Sequence, residues 1–204
     1  MKKALLSLAL LTSVTIVKAQ DVKVGIKGGV SLANFSGKDV DESKLRTGVN
    51  AGVAFDFGFS DLISLQPELL YSMKGSRTEI QQANTTITNT LHYLDIPLLL
   101  KINADGPFFE FGPQIGFLLG AKNENKIGTV SVDDTNKDPY STVDYGYVVG
   151  VGYQFSSGPS LGVRYNGGLN SLRSDDYKGP LPLIGEKTYN SAFMFQLGYL
   201  FGGR

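Results

Sequence analysis

The chain has 204 residues, with 19 basic and 19 acidic side chains, one histidine and no cysteine. Without cysteine there is no disulfide framework, thiolate metal site or cysteine nucleophile, and nothing in the balanced charge suggests nucleic-acid binding, which needs a strong basic patch. The 25 glycines, with a mean hydropathy close to zero, are unlike a bundle of apolar membrane helices and suit a β-structure whose two faces cancel.

The opening MKKALLSLALLTSVTIVKAQ sets Lys2 and Lys3 before a Leu-rich run, with Val17 and Ala19 at the small-residue positions of a cleavage site. This is the pattern of a secretory signal peptide over residues 1–19, leaving residues 20–204 as a single domain. A membrane anchor is disfavoured because the apolar run is short against the roughly twenty residues a span needs. Removal of Lys2, Lys3 and Lys18 leaves 16 basic against 19 acidic residues, a net charge of −3.

From residue 22 onward the apolar residues recur with period two. Strands are expected at about 22–35, 46–59, 62–75, 90–103, 107–121, 142–156, 159–171 and 189–202. The segment HYLDIPLLLKINADGPFFEFGPQIGFLLG (92–120) is greasy enough to suggest a membrane helix, but Pro97, Pro107 and Pro113 would each break one, and Asp95, Lys101, Asp105 and Glu110 interrupt it. It reads instead as a hairpin about NADGP. The connections alternate in length: GFSDL (58–62), NADGP (103–107) and SSGP (156–159) are tight turns, whereas 36–45, 76–89, 122–141 and 172–188 are long and polar.

One phase of these strands is bulky and apolar, for example Val49, Val53, Phe55 and Phe57, or Phe193, Phe195, Leu197, Tyr199 and Phe201. The other carries most of the charge and many glycines, among them Gly112, Gly116, Gly146, Gly150 and Gly152. An eight-stranded barrel has little interior room, so the bulky phase does not fit inside. It must face lipid. The expected fold is therefore all-β: an eight-stranded antiparallel up-and-down transmembrane β-barrel, with both termini in the periplasm. Phe57, Phe59, Phe109, Phe111, Tyr153, Phe155, Tyr199 and Phe201 fall at the tight-turn ends and form one aromatic girdle, with Phe35, Tyr71, Tyr145, Tyr147 and Tyr189 as the other.

The segments SLQPELLYSMKG (64–75), YLDIPLLLKI (93–102), FEFGPQIGFLLGAK (109–122) and LGVRYNGGL (161–169) resemble, in the same order, the PorT-like outer-membrane β-barrel domain family of Bacteroidetes-type bacteria. Asp95 stands where that family commonly has Glu. The resemblance implies the outer membrane of a Gram-negative bacterium, and the member that lends the family its name is associated with protein secretion.

The lumen phase brings Lys27, Lys101 and Arg164 together with Asp56, Glu68 and Glu110, and Lys74, Asp95 and Asp144 lie nearer the long connections. Carboxylates beside basic groups can serve acid–base catalysis; in a small closed barrel the stronger expectation is a structural ion network, because enclosed charges must be neutralised. His92 and Asp95 could begin a rim-located enzyme site, but positions i and i+3 of a strand face opposite sides, and one histidine makes a poor metal site. VDDTNKDP (132–139) and KDVDES (38–43) lack the ligand spacing of a calcium loop, and GIKGG (25–29) lacks the strand–loop–helix setting of a phosphate loop. No catalytic residue, cofactor or metal is expected. The expected role is a monomeric structural or interaction element of the cell envelope, its lumen plugged, touching outer-membrane lipid and an envelope or extracellular protein through its outer loops or periplasmic rim. A narrow passage for small solutes is the principal alternative, followed by an enzyme acting on lipid or peptide at the rim, and a soluble lipocalin-type barrel.

Overall fold

The computed structural model describes residues 22–37, 43–80, 84–174, 177, 179 and 187–201. The expected signal peptide, the acidic stretch 38–42 and most of 175–186 lie outside the described residues. Ten strands form: β1 (Val22–Gly37), β2 (Ser43–Lys44), β3 (Arg46–Gly58), β4 (Ile63–Ile80), β5 (Thr85–Asn103), β6 (Pro107–Ile127), β7 (Val130–Asp134), β8 (Val143–Gln154), β9 (Pro159–Gly168) and β10 (Thr188–Phe201). Eight of them, β1, β3, β4, β5, β6, β8, β9 and β10, pair antiparallel in that order, and β10 pairs back with β1. The sheet closes on itself, so its strands pair their backbone groups with one another around the ring and leave no edge within it.

Exposure follows the period-two pattern with inverted polarity. Along β8, Asp144, Gly146, Val148 and Gly150 are buried while Tyr145, Tyr147, Val149 and Val151 are exposed. Leu197 is 71% exposed and Glu68 only 2%. A chain dissolved in water would not present that surface; one dissolved in hydrocarbon must. At the tight-turn end the first aromatic girdle stands outward as expected, with rings paired along one strand or its end, such as Tyr153–Phe155 at 4.9 Å and Tyr199–Phe201 at 5.2 Å between centroids. Phe35 departs from the second girdle. It follows Ser31 and Ala33 on the inward phase of β1 and is buried.

The NADGP turn takes the form that its Asp-Gly pair favours. Asp105 and Gly106 have φ values of +49° and +125°, and since Pro107 has no N–H, the closing bond runs from the Ala104 amide to the Pro107 carbonyl at 2.8 Å. Lys101 is thereby set opposite Glu110.

Two of the connections read as polar loops are largely strand. β4 and β5 stay paired out to Ile80↔Thr85, and β6 runs to Ile127 before folding back through Gly128, at φ +58°, into β7. β2 joins the other side through Ser43↔Thr78 and Lys44↔Arg77. These stretches, such as TTITNT (85–90), replace the bulky apolar phase with Thr and Asn, so the alternation fades although Thr still favours strands. A five-stranded sheet β2-β4-β5-β6-β7 therefore stands beyond the apolar belt, at the far end from the tight turns. At the boundary His92 and Tyr93 of β5 oppose Gly120 and Leu118, so β6 bulges at the unpaired Leu119 and its phase shifts, with Ala121 and Asn123 facing in.

Candidate functional site

The lumen holds its charges in two layers. In the lower one, Glu68 of β4 accepts from Lys27 of β1 at 2.6 Å, from Gln66 at 2.6 Å, and from both arms of Arg164 of β9 at 2.7 and 3.2 Å. Arg164 also binds Glu110 of β6 at 2.7 Å, and Lys27 lies 3.7 Å from the same carboxylate. Two acids and two bases from four strands thus neutralise one another, with the guanidinium fork bridging both carboxylates. Space comes from the small residues: a Cβ on Gly150 would lie 2.9 Å from both Arg164 Cβ and Glu110 Oε1.

Of the six residues expected in this network, four converge and two stand apart. Asp56 accepts from the Ser64 hydroxyl at 3.0 Å. Lys101 sits 4.3 Å from the Phe108 ring centroid and donates weakly to Gln154 at 3.4 Å. The register across β5 and β6 is the expected one, but the direct Lys101–Glu110 ion pair does not form, because Glu110 turns to the two cations of the quartet.

The upper layer is Lys74, bound to Asp95 at 3.0 Å and 3.6 Å from Asp144, with its ammonium 4.8 Å from the Tyr93 ring centroid. Asn190 donates to Asp144 at 2.8 Å and to the Tyr93 hydroxyl at 3.3 Å. Between the layers, amides reach across an intervening strand, Gln196 of β10 to Asn50 of β3 at 2.5 Å and Asn166 of β9 to Gln114 of β6 at 2.7 Å.

Above both lies an apolar stopper that the sequence pattern did not reveal. Tyr140 and Leu172, from the connections after β7 and β9, pack with Phe35, Leu91, Tyr93, Leu118 and Ala121. The Tyr140 hydroxyl donates to Asn123 at 2.6 Å, and burial raises its pKa. Backbone bonds fasten the two connections to each other and to the barrel: Ser141 N to Leu172 O, Ser174 N to Pro139 O, Leu172 N to Thr188 O and Leu118 N to Thr142 O. The only sequence signal was an isolated Tyr and an isolated Leu within polar segments.

His92 lies outward, its Nδ1 sharing a 2.6 Å hydrogen bond with the Tyr71 hydroxyl, whereas Asp95 lies inward on Lys74. The two do not form a catalytic pair. Among the described residues no three His, Cys, Asp or Glu side chains are placed to hold a metal. The acidic segment after residue 131 is strand and turn: Asp133 binds Lys122 at 2.8 Å, and the Asp138 amide donates to Asn136. Outside the belt, Lys44 and Arg77 flank Glu79, and the hydrogen bond from Lys44 above all holds that carboxyl below its ordinary pKa.

A model of the outer membrane protein beta-barrel domain family matches residues 18–174. No curated protein matches the chain. Among solved structures, Neisserial surface protein A is similar over 88% of this chain and 99% of its own, with 11% identity and a TM-score of 0.50. The attachment invasion locus protein Ail of Yersinia pestis matches over 89% and 100% at 12% identity, TM-score 0.47, and OprG of Pseudomonas aeruginosa over 89% and 97% at 12%, TM-score 0.42. At such identities the likeness concerns the fold alone.

Proposed function

The chain belongs to the outer membrane protein beta-barrel domain family and resides in the Gram-negative outer membrane, and from that premise we propose that it is a barrel with a closed lumen, working as an interaction element of the cell envelope. Its far end, with the β2-β4-β5-β6-β7 sheet, faces outside the cell and meets an envelope or extracellular protein; the tight turns face the periplasm. Residues 1–19 are removed on export, and the protein acts as a monomer, without catalysis or cofactor. The four segments quoted above support a place in the PorT-like branch of the family.

The observation that carries this reading is the filling of the lumen. Gln66 with its ladder partner Leu99, and further along the lumen Asn50 and Lys74, are each at most 2% exposed, and the Tyr140–Leu172 stopper lies over them. A solute would have to displace paired charges and an apolar cluster together. Planar bilayers test it. The purified protein should add no steady conductance steps, and reproducible open-channel steps would favour the narrow passage instead.

A further inference from the structure

Among the described residues β7 pairs with β6 alone, and each of its five residues is exposed. Among the described residues the strand VSVDD is thus a free edge of the sheet beyond the membrane belt. Gly128 and Thr129 make a two-residue turn, so Ile127↔Val130 closes the hairpin as a hydrogen-bonded pair, and such pairs recur at Asn125↔Val132 and Asn123↔Asp134. The amides and carbonyls of Ser131 and Asp133 then point away from β6 into the open edge.

The side chains obey the same period. Val130 and Val132 project on one face beside Ile127, all at least 60% exposed. Lipid does not account for them, since at this height the other face of the sheet carries Arg77, Glu79, Lys122 and Glu124 in water. Asp134 continues the apolar face without an ion-pair partner among the described residues, whereas Asp133, on the opposite face, is neutralised by Lys122.

We infer that β7 is a docking edge for an extended segment of a secreted or surface polypeptide, which adds a strand beside it, with apolar side chains at alternate positions against Val130 and Val132 and a basic one facing Asp134. This rests on the far end facing outside the cell. Main-chain groups supply the attraction, while the Val130–Val132–Asp134 row selects the sequence. A second copy in the same membrane does not fit. Two barrels sharing a membrane normal are related by an axis along it, and tilted strands so related cannot run antiparallel, as self-pairing of one edge demands.

The test uses the full chain in lipid nanodiscs and a fluorescent nonapeptide, Lys-Thr-Val-Thr-Val-Thr-Val-Thr-Lys, whose lysines share a face with its valines in either orientation. Anisotropy should rise saturably, and the same peptide with both lysines replaced by Asp, or with alternate backbone amides methylated, should bind about tenfold more weakly. Ser131→Pro removes an edge N–H without touching the β6 ladder and should weaken binding about tenfold, while β6–β7 amides stay protected from hydrogen exchange. Absence of saturable binding, or equal binding by the methylated peptide and by Ser131→Pro, overturns the docking edge. Conductance recorded on the same protein reports on the closed lumen separately, so channel activity would defeat that reading and leave the peptide result standing.

Discussion

Lys101 stands directly opposite Glu110 in the β5–β6 ladder, and yet each side chain binds elsewhere, Lys101 over Phe108 and Glu110 on Arg164 at 2.7 Å. Register decides which residues are opposite; the competition among enclosed charges decides which are bound. A planar guanidinium reaches Glu68 and Glu110 together, whereas one ammonium offers a point charge.

The energetic consequence is measurable by double-mutant cycles in reversible unfolding from lipid vesicles. Lys101→Met and Glu110→Gln should be coupled by less than about 1 kcal/mol. Glu68→Gln alone leaves Arg164 and Lys27 to share the one carboxylate of Glu110, with one enclosed positive charge uncompensated, and should cost about 3–5 kcal/mol, with a large coupling to Arg164→Met. A strong Lys101–Glu110 coupling would mean that the quartet does not hold Glu110.

Adjacent positions on β8 should fail for different reasons. Val149→Arg places a charge in hydrocarbon and should cost about 2–4 kcal/mol near the midplane, less in thinner bilayers. Gly150→Val meets Arg164 and Glu110 inside the lumen, and its penalty should not change with bilayer thickness. Equal tolerance at the two sites would refute the assignment of faces.

The stopper makes its own prediction. Tyr140→Phe loses one hydrogen bond to Asn123 and should cost about 1 kcal/mol; Tyr140→Ala also hollows the cluster and should cost about 3–5 kcal/mol. Added protease should then cleave within 135–142 in Tyr140→Ala and leave the parent chain intact. Resistance of both would show that the fastening does not depend on the ring.

Acid should loosen the attachment of β2. The Glu79 carboxyl titrates below its ordinary value because Lys44 and Arg77 bind its charged form. Its contribution is therefore complete above the ordinary carboxylate range and is lost as pH falls through the lowered value. Hydrogen exchange at residues 43–44 and 77–79, corrected for the intrinsic pH dependence, should accelerate on acidification in the parent chain and be fast and pH-independent in Glu79→Gln. An unchanged profile in that variant would remove Glu79 from the account.

Topology is open to surface labelling. An epitope inserted between Gly128 and Thr129 should be reached by antibody on intact cells, and one in NADGP only after permeabilisation. The reverse pattern would invert the barrel.

The barrel was legible because lipid imposes a strict rule. Every outward position on β8 from Tyr145 to Tyr153 had to be apolar or aromatic, and Asp105-Gly106 announced where the chain turns back. The meeting of Lys27, Glu68, Arg164 and Glu110 was legible only as a shared phase, since the stagger of strands that are not sequence neighbours fixes who touches whom. Phe35 misled because its aromatic character suggested a girdle while its odd position on β1 pointed inward. Tyr140 and Leu172 had no periodic partners to mark them, and the polar extensions of β4 and β5 kept their backbone pairing after the apolar signal had gone.

The seam between β1 and β10 carries a kinetic consequence. It joins Val24 to Phe201 and Gly37 to Thr188, partners from opposite ends of the chain. Until residues near 200 have been delivered, β1 presents an unpaired edge, and hydrocarbon tolerates no such edge. Hairpins such as β5–β6 can form early from local contacts, whereas the closing pair must wait and must overcome the largest loop entropy in the molecule. Insertion is thereby tied to completion of the ring, and a chain stalled before β10 is committed to association with another strand donor or to destruction in the periplasm.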